Sequence, residues 1–228
     1  MTISKPKSWL RIALIATLGS VVRAIMGYFI GYVFFNELSN EYNQLIIRHD
    51  VDFDCEFAYK MAKIEYILGV KSTYFFMLSN PIYNVFSEKN KRYIQNIKRL
   101  GHNISIHFDF EVGDLKKEID IFESFFDTEV DIISIHRPNL KLLNQIDVEH
   151  TYLPKYFEDI KYFSDSRGEF KYGNPIESEE FKKRKSIQLL IHPAWWMSDK
   201  LNPIEIINDI IDRNHEMNKE FFRENSIP

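Results

Sequence analysis

The first residues that could do chemistry are two aspartates that follow a short apolar run, Leu45-Ile46-Ile47. Side chains alternate along a strand, so Asp50 and Asp52 point to one face and His49 points to the other. Two carboxylates one pleat apart repel each other unless a cation or a shared proton relieves them. The pattern therefore indicates a metal or acid–base site at the end of a buried strand, or an N-cap in which Asp52 or Asp54 begins the following helix.

Further ionisable side chains fall at or just past the ends of later predicted strands. They are His107, His136, Asp165 and His192. In β/α barrels the carboxyl ends of the strands form the rim on which sites are built. One histidine at a strand end is more often structural, but three of them together with two aspartates favour a functional site. Imidazole and carboxylate ligands suit zinc or another divalent metal.

Strands alternate with helices along the chain, which predicts a parallel sheet covered by helices. The strands are expected near residues 33, 47, 74, 105, 133, 163 and 189. Seven such units fit a distorted (β/α) barrel better than an open sheet with helices on both faces. The sequence therefore predicts the α/β class and a single domain, a distorted (β/α) barrel of about seven parallel strands. A chain of 228 residues is long enough for one such domain with a full core.

The N-terminal part is open to two interpretations. From Ile12 to Phe35 the only charge is Arg23, and basic residues precede the run, as in a membrane anchor. Arg23 lies near the middle, however, at a cost of about 2.5–3.5 kcal/mol, and it divides the run into pieces too short to span a bilayer. We therefore favour a helix in residues 1–27, followed by the barrel domain in residues 28–228 of a cytoplasmic protein, over a membrane-anchored protein.

Composition and charge exclude several classes of protein. The net charge of −4 gives no basic footprint, so we expect no nucleic-acid partner. The single cysteine, Cys55, excludes an intrachain disulfide and a cysteine-based zinc site, and it suits the cytosol. Apolar and charged residues make up 45% and 27% of the chain, which is ordinary for a soluble globular protein.

Five short motifs occur in order, each after a predicted strand. They are Arg48-His49-Asp50-Val51-Asp52, Gly101-His102-Asn103-Ile104-Ser105-Ile106-His107, His136-Arg137-Pro138, Ser164-Asp165-Ser166-Arg167-Gly168 and Leu190-Ile191-His192-Pro193. Over roughly residues 30–200 this order resembles the polysaccharide deacetylases (the NodB-homology fold of carbohydrate esterase family 4), in particular a divergent branch found among bacterial surface-polysaccharide genes. The resemblance implies a metal-dependent hydrolase that removes an acyl group, such as N-acetyl, from an amino sugar or sugar conjugate.

The resemblance also implies roles for the residues that match its motifs. Asp50 matches the catalytic base and Asp52 the metal-binding aspartate, although the family has the two adjacent and one residue separates them here. Arg137 matches the arginine that orients the catalytic aspartate. His192 matches the general acid, and Asp165 matches the aspartate that tunes this histidine.

The metal ligands depart from the family pattern at one position. His107 matches the first of two metal-binding histidines, but Glu111 stands where the second is expected. The third ligand is then Glu111, Asp109 or His136. We prefer His136, because a second imidazole restores the family's set of one aspartate and two histidines. The resemblance thus implies one divalent ion, preferably zinc, held by Asp52, His107 and His136.

Three further residues are candidates for contact with the substrate, which we expect to be a small molecule or an oligosaccharide. Trp195 and Trp196 could stack on a sugar ring or pack below the rim, and Arg167 could meet a phosphate or carboxylate of a nucleotide- or lipid-linked sugar. One alternative is a catalytically inactive barrel that binds carbohydrate or acts as a scaffold, which Glu111 supports. Another is a different metal hydrolase, such as a phosphoesterase, but the sequence lacks the many extra carboxylates that such a site would want.

Overall fold

The computed structural model describes most of the chain after residue 44. The described residues are 45–138, 160–171, 173–183 and 185–226. The predicted strand near residue 33 and the predicted N-terminal helix lie outside them, so the boundary at residue 27 stays a prediction. Within these ranges, no helix is both long and apolar enough to cross a membrane. Residues 12–35, the alternative membrane anchor, are not among them.

Six parallel strands form one sheet in the described part of the chain. They are β1 (Leu45–Val51), β2 (Thr73–Phe76), β3 (Asn103–Phe108), β4 (Ile133–Ile135), β5 (Lys161–Ser164) and β6 (Ile187–Ile191). Their order in the sheet is β4-β3-β2-β1-β6-β5, so β1 lies near the centre. With helices between the strands, the sheet curls into a half-barrel, which confirms the predicted α/β class and distorted barrel architecture.

Six α-helices lie in the described part of the chain. They are α1 (Cys55–Leu68), α2 (Glu88–Arg99), α3 (Leu115–Phe126), α4 (Glu179–Lys182), α5 (Pro193–Met197) and α6 (Pro203–Ser226). The first three begin at a side-chain cap, because Asp54, Ser87 and Asp114 each accept a hydrogen bond from a backbone N–H of the first turn. Two short 3-10 turns, Ser166–Gly168 and Pro175–Glu177, lie between β5 and α4.

The start of α1 decides which aspartate caps this helix. The side chain of Asp54 accepts the backbone N–H of Glu56 at 2.6 Å, so Asp54 is the N-cap. The helix ends at Gly69, whose φ of 76° is the left-handed conformation that favours glycine at this position. Asp52 therefore does not serve as the cap, and its carboxylate can take part in a site.

The central position of β1 determines where its polar residues lie. β2 is buried along its whole length on one side of β1, with Asp50 opposite Phe75. On the other side β1 pairs with β6, with His49 opposite Ile191. Asp50 and His49 are thus held within the core, and each needs partners there because a buried polar group without a hydrogen bond is costly.

Candidate active site

One cavity of about 450 Å³ lies at the carboxyl ends of the strands. Parallel strands present these ends at one edge of the sheet, so residues far apart in sequence meet there. Two of the lining residues lie near the ends of β1 and β3, and three follow β1, β4 and β6 directly. The predicted site residues that the cavity brings together in this way are Asp50, Asp52, His107, His136 and His192.

Asp50 is a buried carboxylate with two close partners. Nη2 of Arg48 lies 3.1 Å from both of its oxygens. The hydroxyl of Ser134 donates to Oδ2 of Asp50 at 3.0 Å and accepts a hydrogen bond from Arg48. Burial alone would raise the pKa of Asp50, but Arg48, together with His107 and His192, holds it well below its ordinary value. Asp50 is therefore ionised at neutral pH.

Three side chains form a group that could hold a metal ion, namely Asp52, His107 and His136. Oδ1 of Asp52 lies 3.2 Å from Nε2 of His107 and 4.0 Å from Nδ1 of His136, and these two nitrogens are 3.1 Å apart. Two ligands at about 2.1 Å from a tetrahedral zinc ion are about 3.4 Å apart, so the spacing fits. Despite the nearby nitrogens, Oδ1 of Asp52 is buried and accepts no hydrogen bond from the described residues. A bound cation would give this oxygen a partner.

The other two candidate ligands lie elsewhere. Oδ1 of Asp109 accepts the backbone N–H of Glu111 at 2.9 Å in a turn after β3, and Glu111 is exposed. In the part of the chain that the structure describes, neither carboxylate joins the group of potential ligands. The geometry thus favours His136 as the third ligand.

The charges of this group shift the pKa values of its members. Burial opposes ionisation of Asp52, but His107 and His192 hold its pKa below the ordinary value. Burial would lower the pKa of His107, but the neighbouring carboxylates of Asp50 and Asp52 raise it above the ordinary value. Burial and the neighbouring His107 lower the pKa of His136. A carboxylate at Asp52 and a neutral imidazole at His136 are the protonation states in which these side chains bind a metal.

His192 and Asp165 form a hydrogen-bonded pair beside the candidate ligands. Nδ1 of His192 lies 2.6 Å from Oδ1 of Asp165, and the backbone N–H of His192 also donates to this carboxylate. The indole N–H of Trp196 donates to Oδ2 of Asp165 at 2.5 Å. Burial opposes protonation of His192, but Asp165 raises its pKa to about 9. The imidazole is therefore protonated at neutral pH, with Nε2 3.8 Å from Oδ2 of Asp52.

The predicted substrate-binding residues differ in their placement. Trp195 lines the cavity and packs edge-on against Phe53, with ring centroids 5.3 Å apart. Trp196 is not among the lining residues. It packs against the main core and bonds to the aspartate of the acid pair, so Trp195 is the better placed of the two to contact a sugar. Arg137 and Arg167 both line the cavity, and both side chains are exposed.

The sequence motifs do not identify Arg48 as part of the site. The resemblance gives the orienting role to Arg137, whereas the guanidinium in contact with Asp50 in the structure is that of Arg48. A signal is present in the sequence, because residues two apart in a strand share a face. Ser134 gives no such signal, since its contact with Asp50 joins strands that are distant along the chain. The orienting role of Arg137 stays a prediction, and Arg48 is a second candidate for it.

No protein-family model and no curated protein matches the chain. Among solved structures, it is similar to a CE4 family pseudoenzyme from Bacillus anthracis, with 13% identity and a TM-score of 0.43 over 78% of this chain and 63% of that chain. A mutant of that pseudoenzyme with restored enzymatic activity gives 13% identity and a TM-score of 0.43 over 79% and 65%. A mutant of the peptidoglycan deacetylase PdaC from Bacillus subtilis gives 13% and 0.42 over 83% and 100%.

The alignments thus span less than two thirds of the pseudoenzyme's own length. At this level of identity the likeness concerns the course of the backbone, and the functional argument rests on the side chains described above. Fold and cavity together define an α/β half-barrel with a candidate divalent-metal site between a buried carboxylate and a protonated imidazole.

Proposed function

We propose that this chain is a metal-dependent hydrolase that removes an acyl group, in the first place N-acetyl, from an amino sugar. The observation that supports this most is the arrangement around one cavity of an ionised carboxylate, a candidate metal site and a protonated imidazole. Oδ2 of Asp50 lies 3.8 Å from Nδ1 of His107, and Nε2 of His192 lies 3.8 Å from Oδ2 of Asp52. Asp50 and His192, the two groups that could transfer protons, are thus each adjacent to a candidate metal ligand.

Amide hydrolysis needs a nucleophilic water, stabilisation of the developing oxyanion and a proton for the leaving amine. A divalent ion held by the three candidate ligands would supply the first two, since it lowers the pKa of water and polarises the acyl oxygen. Asp50 accepts the proton of the attacking water. Its pairing with Arg48 keeps it ionised and fixes its orientation, but also makes it a weak base. His192, protonated through its pair with Asp165, donates a proton to the leaving nitrogen.

A sugar ring with its acyl group fits the dimensions and the lining of the cavity. A volume of about 450 Å³ is within the usual range of small-molecule sites. The indole of Trp195 offers an apolar face on which a sugar ring can stack. A small molecule or oligosaccharide with an N-acylated sugar is therefore the proposed substrate. The single, buried thiol of Cys55 supports the proposed cytoplasmic location.

Metal analysis of the purified chain tests the first part of the proposal. We expect about one divalent ion per chain, with zinc as the preferred ion, because three protein ligands and one open position are typical of catalytic sites. The ion should be lost in His107→Ala and His136→Ala. It should be retained in His215→Ala, a matched control because His215 is exposed on α6. A folded wild-type protein that takes up no divalent ion would refute the hydrolase.

Acetate release from a panel of N-acetylated sugars tests the chemistry. Asp50→Asn and His192→Ala should each lower kcat by about 10²–10⁴, the usual contribution of a positioned acid or base. The exposed His215→Ala again serves as the control. Rates unchanged in Asp50→Asn or in His192→Ala would remove that residue from its proposed role.

A catalytically inactive barrel that binds carbohydrate is the second candidate. It is favoured by Glu111, which stands where the sequence resemblance expects a metal-binding histidine. This candidate has lost a competent metal site, so it predicts a folded protein that takes up no divalent ion, binds N-acetylated sugars and releases no acetate from any of them. The metal analysis and the acetate assay together therefore separate the two candidates.

A further inference from the structure

Two arginines at the cavity are not part of the charge pairs described so far. Arg137 follows the end of β4 and Arg167 lies in the 3-10 turn after β5, and both line the cavity with exposed side chains. Among the described residues neither guanidinium has a carboxylate partner, in contrast to Arg48 with its contact to Asp50. Both are therefore available to a ligand.

The carboxylates of the cavity lie beside groups other than these two arginines. Asp50 has the guanidinium of Arg48 at 3.1 Å, and Asp52 has the imidazole of His107 at 3.2 Å and that of His192 at 3.8 Å. The two exposed guanidiniums thus add positive charge to the open side of the cavity that no described carboxylate compensates. Such a lining favours a ligand with negative charge.

The backbone at both positions is in an unusual conformation. Arg137 and Arg167 have φ values of 47° and 63°, in the left-handed region that side chains with a Cβ rarely adopt. The third described non-glycine residue in this region, Asp127, is the C-cap of α3, which accounts for it. Next to Arg167, a Cβ on Gly168 would lie 2.7 Å from Cγ of Pro203, so the turn is packed tightly against α6. Strained conformations held by packing are concentrated at functional sites.

We propose that Arg137 and Arg167 form an anion subsite that binds the phosphate or diphosphate of a glycosyl phosphate. The inference rests on the proposed function for the remainder of the substrate, an N-acylated sugar, which would then be linked to a nucleotide or to a lipid carrier. A guanidinium presents its N–H donors in a planar fork that matches the oxygens of a phosphate group. A diphosphate diester carries one negative charge on each phosphate, which two guanidiniums balance, whereas a neutral polysaccharide offers them no counter-charge.

Calorimetric binding to the metal-loaded full chain tests the subsite without any turnover. The probes are N-acetylglucosamine, its 1-phosphate, its uridine diphosphate derivative and inorganic pyrophosphate. We expect the phosphorylated sugars to bind at least about tenfold more tightly than the neutral sugar, since charge-assisted hydrogen bonds are the strong ones. Arg137→Gln and Arg167→Gln should each weaken phosphorylated probes about tenfold. Arg99→Gln, an exposed arginine at the C-terminal end of α2, is the matched control.

The variants distinguish this subsite from direct binding of phosphate to the metal, which would not depend on either arginine. Tighter binding of the uridine derivative than of the 1-phosphate indicates a nucleotide-linked substrate, and equal binding of the two indicates that the anomeric phosphate suffices, as in a lipid-linked sugar. Equal binding of neutral and phosphorylated sugars, or phosphate binding unchanged in both glutamine variants, would overturn the subsite. A protein that binds these probes through the arginines but releases no acetate would refute the hydrolase and leave the subsite intact.

Discussion

Replacement of Arg48 by glutamine would leave Asp50 buried without its main cation. The guanidinium lies 3.1 Å from both carboxylate oxygens, and both side chains are only 5% exposed. At this distance and an effective dielectric constant of about 20, the attraction between the two charges is about 5 kcal/mol. Removal of one partner from a buried pair usually costs about 3–5 kcal/mol. We therefore expect Arg48→Gln to lower the free energy of unfolding by about 3–5 kcal/mol.

Urea unfolding of the wild type, Arg48→Gln, Asp50→Asn and the double variant measures this coupling. Each single variant leaves one buried charge uncompensated, whereas the double variant carries two amides that can bond to each other. The double variant should therefore lose less stability than the sum of the two single variants, with a coupling free energy of about 2 kcal/mol or more. Arg137→Gln is the control, since an exposed arginine without a described ion pair should change stability by less than about 0.5 kcal/mol.

The same variants decide which arginine orients the base. Activity requires ionised Asp50, so the rate falls as the pH drops through the pKa of Asp50. Without Arg48 that pKa rises, and the acid limb of the pH–rate profile should move to higher pH. Arg137→Gln should leave the position of this limb where it is. An unmoved limb and near-normal stability in Arg48→Gln, with a moved limb in Arg137→Gln, would refute the reasoning and assign the orienting role to Arg137.

Three further substitutions have defined outcomes. Asp165→Asn removes the carboxylate that raises the pKa of His192 to about 9, so the alkaline limb of kcat/KM should move to lower pH; an unmoved limb would contradict the acid role of this pair. Glu65→Gln removes the charge of a buried carboxylate that lies 2.7 Å from His49 and accepts hydrogen bonds from Ser72 and Tyr74, and it should cost about 3–5 kcal/mol in urea unfolding at neutral pH. Burial would raise the pKa of Glu65, but His49 lowers it in the folded protein. The stabilisation is therefore present above the ordinary pKa of 4.5 and is lost as the pH falls through the folded pKa. A difference in stability that does not change with pH would count against the ion pair. Trp195→Ala should raise KM for a sugar substrate about tenfold with a smaller change in kcat, and an unchanged KM would remove Trp195 from the substrate contact.

Local sequence patterns are sufficient to predict most of the described elements. The strand expected near residue 189 is present as Ile187–Ile191. The alternation along β1 correctly places Asp50 and Asp52 at the cavity and His49 on the opposite face, where it contacts Glu65 of α1. These predictions succeed because strand periodicity and apolar burial are properties of neighbouring residues.

Contacts between distant segments do not follow from such patterns. Trp195 and Trp196 are neighbours on α5, and consecutive residues of a helix point about 100° apart. Only one of them can therefore face the cavity, and the sequence does not say which. In the structure Trp195 lines the cavity, whereas Trp196 donates its indole N–H to Asp165. The contact of Ser134 with Asp50 is a similar case, since it joins β4 to β1 across 84 residues of sequence.

The curl of the sheet is the physical reason that the site can form at all. β1 and β4 are separated by β2 and β3, so in a flat sheet with about 4.8 Å between neighbouring strands they would lie about 14 Å apart. Yet Ser134 of β4 donates to Asp50 of β1 at 3.0 Å, which is possible only across the inside of a concave sheet. The same curvature carries His136, two residues beyond Ser134, towards Asp52 at the end of β1. The proposed base and the proposed third metal ligand therefore depend on one feature, the closure of the half-barrel between β1 and β4.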